Sequence, residues 1–219
     1  MAELRTDEEQ VQALKQWWDE NGKSLLLGVA VALAAVFGWK GWQQQQAVET
    51  ENASILYQNM LDAVVGAIGP RQDEAQSATA NHLAEQLKTD YTESSYAKYA
   101  AMIMARVAVD KDDLPLALQQ LDWVLANQPT ESMYALASMR KARIIAAQGD
   151  VEKALALLGA VPSNGHQASF EELKGDLYLQ SGDAEKAKAA YMSAAQALDG
   201  KAQQPLLEMK LNDLATKDS

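Results

Sequence analysis

Through most of the chain, apolar residues return every third or fourth position, the period of a helix with one buried face. One stretch breaks that rhythm. From Leu25 to Trp39 no side chain is charged or strongly polar, so this helix has no solvent side. A helix of about 15 residues rises only about 22 Å, short of the roughly 30 Å hydrocarbon core of a bilayer. The flanks supply the difference. Trp17 and Trp18 precede the run, and Trp39 and Trp42 close it, so four of the chain's five tryptophans bracket one segment. Indole rings favour the headgroup zone, and Lys23 and Lys40 can reach outward from either end. The pattern predicts a single membrane-spanning helix over residues 24–42.

Three other readings of the stretch fare worse. A cleaved signal needs a short basic leader, whereas Glu3, Asp7, Glu8, Glu9, Asp19 and Glu20 outnumber Arg5, Lys15 and Lys23, and the Ala32/Ala34 pair lies inside the apolar run rather than after it. A buried core helix would keep a polar side. A phosphate loop at Gly22-Lys23-Ser24 needs an upstream glycine where Trp17 stands, and no strand precedes it. The basic residues also bear on orientation. Arg5, Lys15 and Lys23 precede the span, only Lys40 follows it closely, and the next is Arg71. Residues 1–23 are therefore expected in the cytoplasm and residues 43–219 across the membrane. Within the span Ala30, Ala34 and Gly38 recur every fourth residue, a small-residue stripe against which another helix could lie.

After the polar run Gln43–Gln46, read as a stalk, amphipathic helices come in pairs. The clearest is FEELKGDLYLQSGDAEKAKAAYMSAAQALDG, whose Gly175, Tyr178, Gly182, Ala187, Tyr191 and Ala194 resemble the key positions of a tetratricopeptide repeat. Small Gly175 and Ala187 let two helices close, Tyr178 and Tyr191 fill the space around them, and Gly182-Asp183 turns the chain and caps the second helix. GDVEKALALL repeats the turn at Gly149-Asp150 with Ala154 as the small residue, and DDLPLALQQLDWVLANQP supplies Ala117 and ends at Pro129. Ala117, Ala154 and Ala187 are thus spaced by about 37 and about 33 residues, close to the repeat length of roughly 34. A less regular pair precedes them, over 52–68 and 72–88, split at Gly69-Pro70, and Leu207, Leu211 and Leu214 align on one face of a terminal capping helix. The expected fold is all-α, a transmembrane helix followed by a helical-repeat solenoid.

Such a stack offers a concave face built from the first helix of each pair. In register, that face should carry Tyr99, Met102 and Arg106, then Leu136, Met139 and Arg143, then Glu172, Asp176 and Leu179. A Met followed by an Arg one turn later recurs in two units, which suits a groove for an apolar partner segment with planar hydrogen bonding beside it. Lysine and asparagine do not occupy the places that clamp a terminal carboxylate in chaperone-binding repeats. Catalysis finds no footing. His82, near Glu85 on a helix, and His166, in the PSNGHQ loop, are the only histidines, and no nucleophile, HExxH or dinucleotide-loop motif occurs. No cofactor or small-molecule substrate is expected.

Composition narrows the picture further. A net charge of -11 with no basic block argues against nucleic acid. The absence of cysteine removes disulfides and thiol chemistry without deciding the compartment.

Four short stretches, ENGKSLLLGV (Glu20–Val29), Gly38-Trp39, ILYQNM (Ile55–Met60) and EMKLNDLA (Glu208–Ala215), resemble the YfgM-type ancillary subunits of the bacterial SecYEG translocon, in order and over nearly the whole chain. The resemblance implies an inner-membrane protein with a periplasmic tetratricopeptide-like domain. It also implies partners: the translocon, a membrane-anchored prolyl-isomerase-like chaperone of the periplasm, and secreted clients passed between them. A cytoplasmic role restraining a stress response regulator is implied as well. It carries no catalytic residue. The competing expectation is a membrane-anchored scaffold of another envelope complex, for outer-membrane assembly or division.

Overall fold

The computed structural model describes residues 7–68, 73–198 and 205–217. Gly69-Pro70, Arg5 and Arg71 lie outside the described residues. Among those described there are nine α-helices and no strand: α1 (Asp7–Ile68), α2 (Glu74–Asp90), α3 (Ser95–Asp110), α4 (Leu114–Ala126), α5 (Glu131–Ala147), α6 (Val151–Ala160), α7 (Gln167–Gln180), α8 (Ala184–Ala197) and α9 (Pro205–Lys217). The chain divides into two compact units, Met1–Asn52 and Ala53–Ser219. The expected stalk and the first helix of the irregular pair both fall in α1.

In the first unit the apolar side chains have no protein to pack against. Leu25, Leu26, Leu27, Val31 and Phe37 are all exposed, and this helix is long and apolar enough to cross a membrane.

The second unit is a chain of local cores. Residues 53–68 of α1 pack with α2 and α3 around Met60, Ala84, Leu87 and Met104. The next cluster joins α3, α4 and α5, and the next joins α5, α6 and α7. A last one joins α8 and α9, with Tyr178 of α7 against it. Each cluster involves only neighbouring helices, the mark of a solenoid rather than of one central core.

The turns inside the pairs are made by one repeated device. Gly149 and Gly182 take φ of +96° and +85°, in the left-handed region that glycine enters freely. Asp150 and Asp183 follow, and each accepts from the backbone N–H three residues on, at Lys153 (3.2 Å) and Lys186 (3.0 Å). Their own N–H groups donate back to Ile145 and Tyr178, closing the preceding helix. The first pair has the same turn with Asp112 at φ +60°, and Asp113 accepting from Leu116 at 3.0 Å.

Counted from these turns, the small residues of the second helices, Ala117, Ala154 and Ala187, are all fully buried. Opposite them the first helices carry Ala105, Ala142 and Gly175. Size is matched across the contact. Ala105 shares its cluster with Leu121 and Ala142 with Leu158, while Gly175 lies under the buried ring of Tyr191. A Cβ on Gly175 would overlap that ring. Gly159, on α6, has open space around the same point. Leu207 and Leu214 of α9 are buried on the α8 cluster and Leu211 packs beside them, as a capping helix requires.

Gly175→Ala should therefore lower thermal stability, because an overpacking cost of about 1–3 kcal/mol exceeds the gain of about 1 kcal/mol from helix propensity. Gly159→Ala should leave the melting midpoint unchanged or slightly raised. In Tyr191→Leu, adding Gly175→Ala should cost measurably less than in the native background, and simple additivity of the two changes would show that the ring is not the obstacle.

Candidate functional site

The stack brings three arginines of α3 and α5 to one cleft of about 530 Å³ above α4, within the second unit. Arg106 and Arg143 were expected on this face. Arg140, one turn before Arg143, was not, although the Arg140/Arg143 spacing already puts both on one side of a helix. Arg106 is largely exposed and its Nε donates to both oxygens of Asp110, at 2.8 and 3.0 Å. Arg140 donates to the carbonyl of Met102 at 3.2 Å. Its guanidinium is held below the ordinary arginine range, first by partial burial and then by the charges of Arg143 and Arg106. Among the described residues Arg143 has no acidic partner. Val109, Leu114, Ile144 and Ala147 supply apolar walls.

The two methionines do not line this cleft. Met102 is 6% exposed, packed with Met133, Ala137 and Ile144 of α5, and Met139 is 3% exposed, packed with Phe170, Leu173 and Leu177 of α7. Leu136 also packs into these clusters. The expectation of an open Met groove is corrected here. One turn before each arginine the helix face meets the next unit, so stacking buries it, and the adaptable Met side chain fills that junction. Tyr99 stays half-exposed, with its ring centroid 6.5 Å from Tyr57, which in turn stands 5.5 Å from Tyr96.

In the last unit the chemistry inverts. Counted from Gly182, Glu172 takes the place of Met139, and Asp176 takes that of Arg143. Neither is a free groove residue. Lys210 of α9 donates to Glu172 at 2.8 Å and to Asp176 at 2.6 Å, and the Tyr191 hydroxyl donates to Asp176 at 2.7 Å. Where the array ends, an ionic latch to the capping helix replaces the apolar junction. Leu179 is exposed beyond it.

His166 is structural: its Nε2 stands 2.8 Å from the Ser132 hydroxyl, and Asn164 beside it donates to the Glu131 carbonyl, tying the α6–α7 loop to the start of α5. No group of three or more His, Asp or Glu among the described residues could hold a metal.

In the first unit Trp17, Trp18, Trp39 and Trp42 are all exposed, with the Trp39 and Trp42 rings 5.1 Å apart. Ala30, Ala34 and Gly38 are exposed too, and nothing lies within 4 Å of a Cβ placed on Gly38.

Helix pairs stacked in this way define a tetratricopeptide-type interaction module, and residues 15–216 match the tetratricopeptide repeat-like domain family. Curated relatives narrow this further. Over 214 residues, 98% of this chain and 100% of theirs, it is 30% identical to the ancillary SecYEG translocon subunit of Aggregatibacter actinomycetemcomitans and 29% identical to that of Haemophilus influenzae. The Escherichia coli protein of the same name is 29% identical over 209 residues, 95% of this chain and 97% of its own. The chain belongs to the family of ancillary SecYEG translocon subunits.

The Lys210 latch predicts a pH dependence. Burial alone would lower the Lys210 ammonium, but the bonds to Asp176 and Glu172 outweigh it and leave it raised. Burial, then the bond to Asp176, raises the Tyr191 phenol. Both shifts are upward, so their contribution to stability is complete below about pH 10 and is lost as pH climbs through the raised values. Lys210→Met should cost about 1–3 kcal/mol at neutral pH, since Glu172 loses its ammonium donor and Asp176 keeps only the Tyr191 hydroxyl. It should also flatten the alkaline limb of a melting-temperature profile. An unaltered alkaline limb would remove the latch from the account.

Proposed function

We propose that the chain is a non-catalytic subunit anchored in the bacterial inner membrane by residues 24–42, with residues 1–23 in the cytoplasm and the repeat domain in the periplasm, where it works beside the SecYEG translocon. The observation that carries this reading is the full-length likeness to proteins named ancillary SecYEG translocon subunits, which spans the apolar helix and the repeat unit together. Physical chemistry supports the anchor. Exposed Leu and Val side chains on α1 would be costly in water, and the tryptophan brackets suit two aromatic belts at the headgroups. The Ala30, Ala34, Gly38 stripe, small and open, is the face through which the anchor would meet another membrane helix.

The repeat unit then acts as a docking surface for emerging secreted chains, passing them to a membrane-anchored prolyl-isomerase-like chaperone of the periplasm. A binding role is supported by the cleft, where three guanidiniums stand beside apolar walls.

Purification of the full chain in mild detergent after in vivo cross-linking should recover SecY, SecE and SecG, and Ala34→Leu with Gly38→Leu should reduce that recovery without lowering the melting temperature of the repeat unit. Alkaline phosphatase fused after Ser219 should be active. An inactive phosphatase fusion whose cytoplasmic-reporter counterpart is active would reverse the topology, and recovery of a different envelope complex in place of the translocon would replace the partner.

A further inference from the structure

The three-arginine cleft has no internal reason to exist. The chain as a whole is acidic, with a net charge of -11, yet three guanidiniums line one cleft between α3 and α5, and among the described residues only Asp110 is their ion-pair partner. Arg140 is held in place by the carbonyl of Met102, a neutral acceptor, and Arg143 has no acidic partner among the described residues. Like charges gathered this closely repel, and partial burial strengthens the repulsion because water screens it less. The fold could relieve this by placing a carboxylate on α5, as it does at Glu172 and Asp176 for Lys210 in the last unit. In the Arg140 cleft it does not. The uncompensated charge is therefore available to an anion from outside.

The walls say what surrounds that anion. Leu114, Val109, Ile144 and Ala147 make one side of the cleft apolar, so a small hydrated ion would leave them bare. A volume of about 530 Å³ is enough for a few side chains of a peptide. Guanidiniums present flat pairs of N–H donors that match the two oxygens of a carboxylate.

We infer that the cleft formed by Arg106, Arg140 and Arg143 recognises an acidic peptide segment of a partner protein, its Asp or Glu side chains on the arginines and its adjoining aliphatic residues on the Leu114–Ile144 wall. This deepens the proposed docking role, on which it rests. Arg143 is the primary contact, Arg140, held by the Met102 carbonyl, is a positioning and charge-focusing group beside it, and Arg106 exchanges part of its Asp110 bond for the ligand. The mode differs from capture of a chain terminus, because side-chain carboxylates suffice.

The test uses the full chain in neutral-lipid nanodiscs and a short fluorescent peptide of Leu and Glu, amidated at its C-terminus, with a Leu–Gln peptide as its uncharged counterpart. The Leu–Glu peptide should bind, weaken steeply as salt rises, and outbind the Leu–Gln peptide by about tenfold or more. Arg143→Gln should lose most of that difference with an unchanged melting temperature, since its side chain is exposed. Arg143→Lys should fall between, because it keeps the charge but not the paired donors. Arg106→Gln provides a second reading should Arg143→Gln fail to fold. Equal affinity for the two peptides, or native binding by Arg143→Gln, overturns the inference. So does loss of peptide binding when anionic lipid enters the nanodisc, which would assign the cleft to a lipid headgroup. Recovery of SecYEG in the cross-linking experiment is independent of these outcomes, so a failed cleft leaves the translocon assignment standing.

Discussion

Every helix pair of the repeat unit has an apolar side that it cannot bury by itself, and the next element in the chain must cover it. That constraint organises the rest. At the α3–α5 and α5–α7 junctions the cover is a methionine, Met102 and then Met139, sunk into the following unit. At the last junction the cover is the capping helix α9. Its Leu207 and Leu214 close the apolar surface, and its Lys210 bridges Glu172 and Asp176 in the register where the earlier units carry Met and Arg. An array that ended on another exposed Met would present an adhesive edge, and an ionic latch ends it without one.

The same stacking decides which side remains open. Burying the methionines turns the residues one turn later outward, so Arg106 and Arg143 stand on the free side, and Arg140 lines the same cleft. Packing and exposure are linked through register: a methionine that seals a junction sets the arginine that follows it beside the cleft. Meanwhile the exposed apolar helix of the first unit asks for a bilayer, and the family relationship supplies the setting in which both halves are useful.

Much of this was legible from spacing. The small residues Ala117, Ala154 and Ala187, the steric exchange between Gly175 and Tyr191, and the Leu207–Leu211–Leu214 face are local patterns with a fixed period, and each forms the contact that its spacing implies. The site was only half legible. Repeat register shows that Met102 and Met139 are equivalent, but not which way they face. Concave and junction faces of a helix lie a single turn apart, so a small angular error moves a residue from groove to core. Arg140 was passed over because it falls between the positions that the repeat singles out. The Lys210 latch was out of reach for another reason. Its partners lie 34 and 38 residues away, and no local period links a capping helix to carboxylates that distant.

The central claim is that the repeat unit is held together junction by junction. Hydrogen exchange measured by mass spectrometry on full-length Met139→Glu tests it most directly, because that carboxylate would be buried against Phe170, Leu173 and Leu177 at one junction only. The account predicts that α7, α8 and α9 lose protection together, while residues 53–68 of α1, with α2 and α3, keep theirs. A uniform loss of protection from α2 to α9 would contradict it, as would no loss at all.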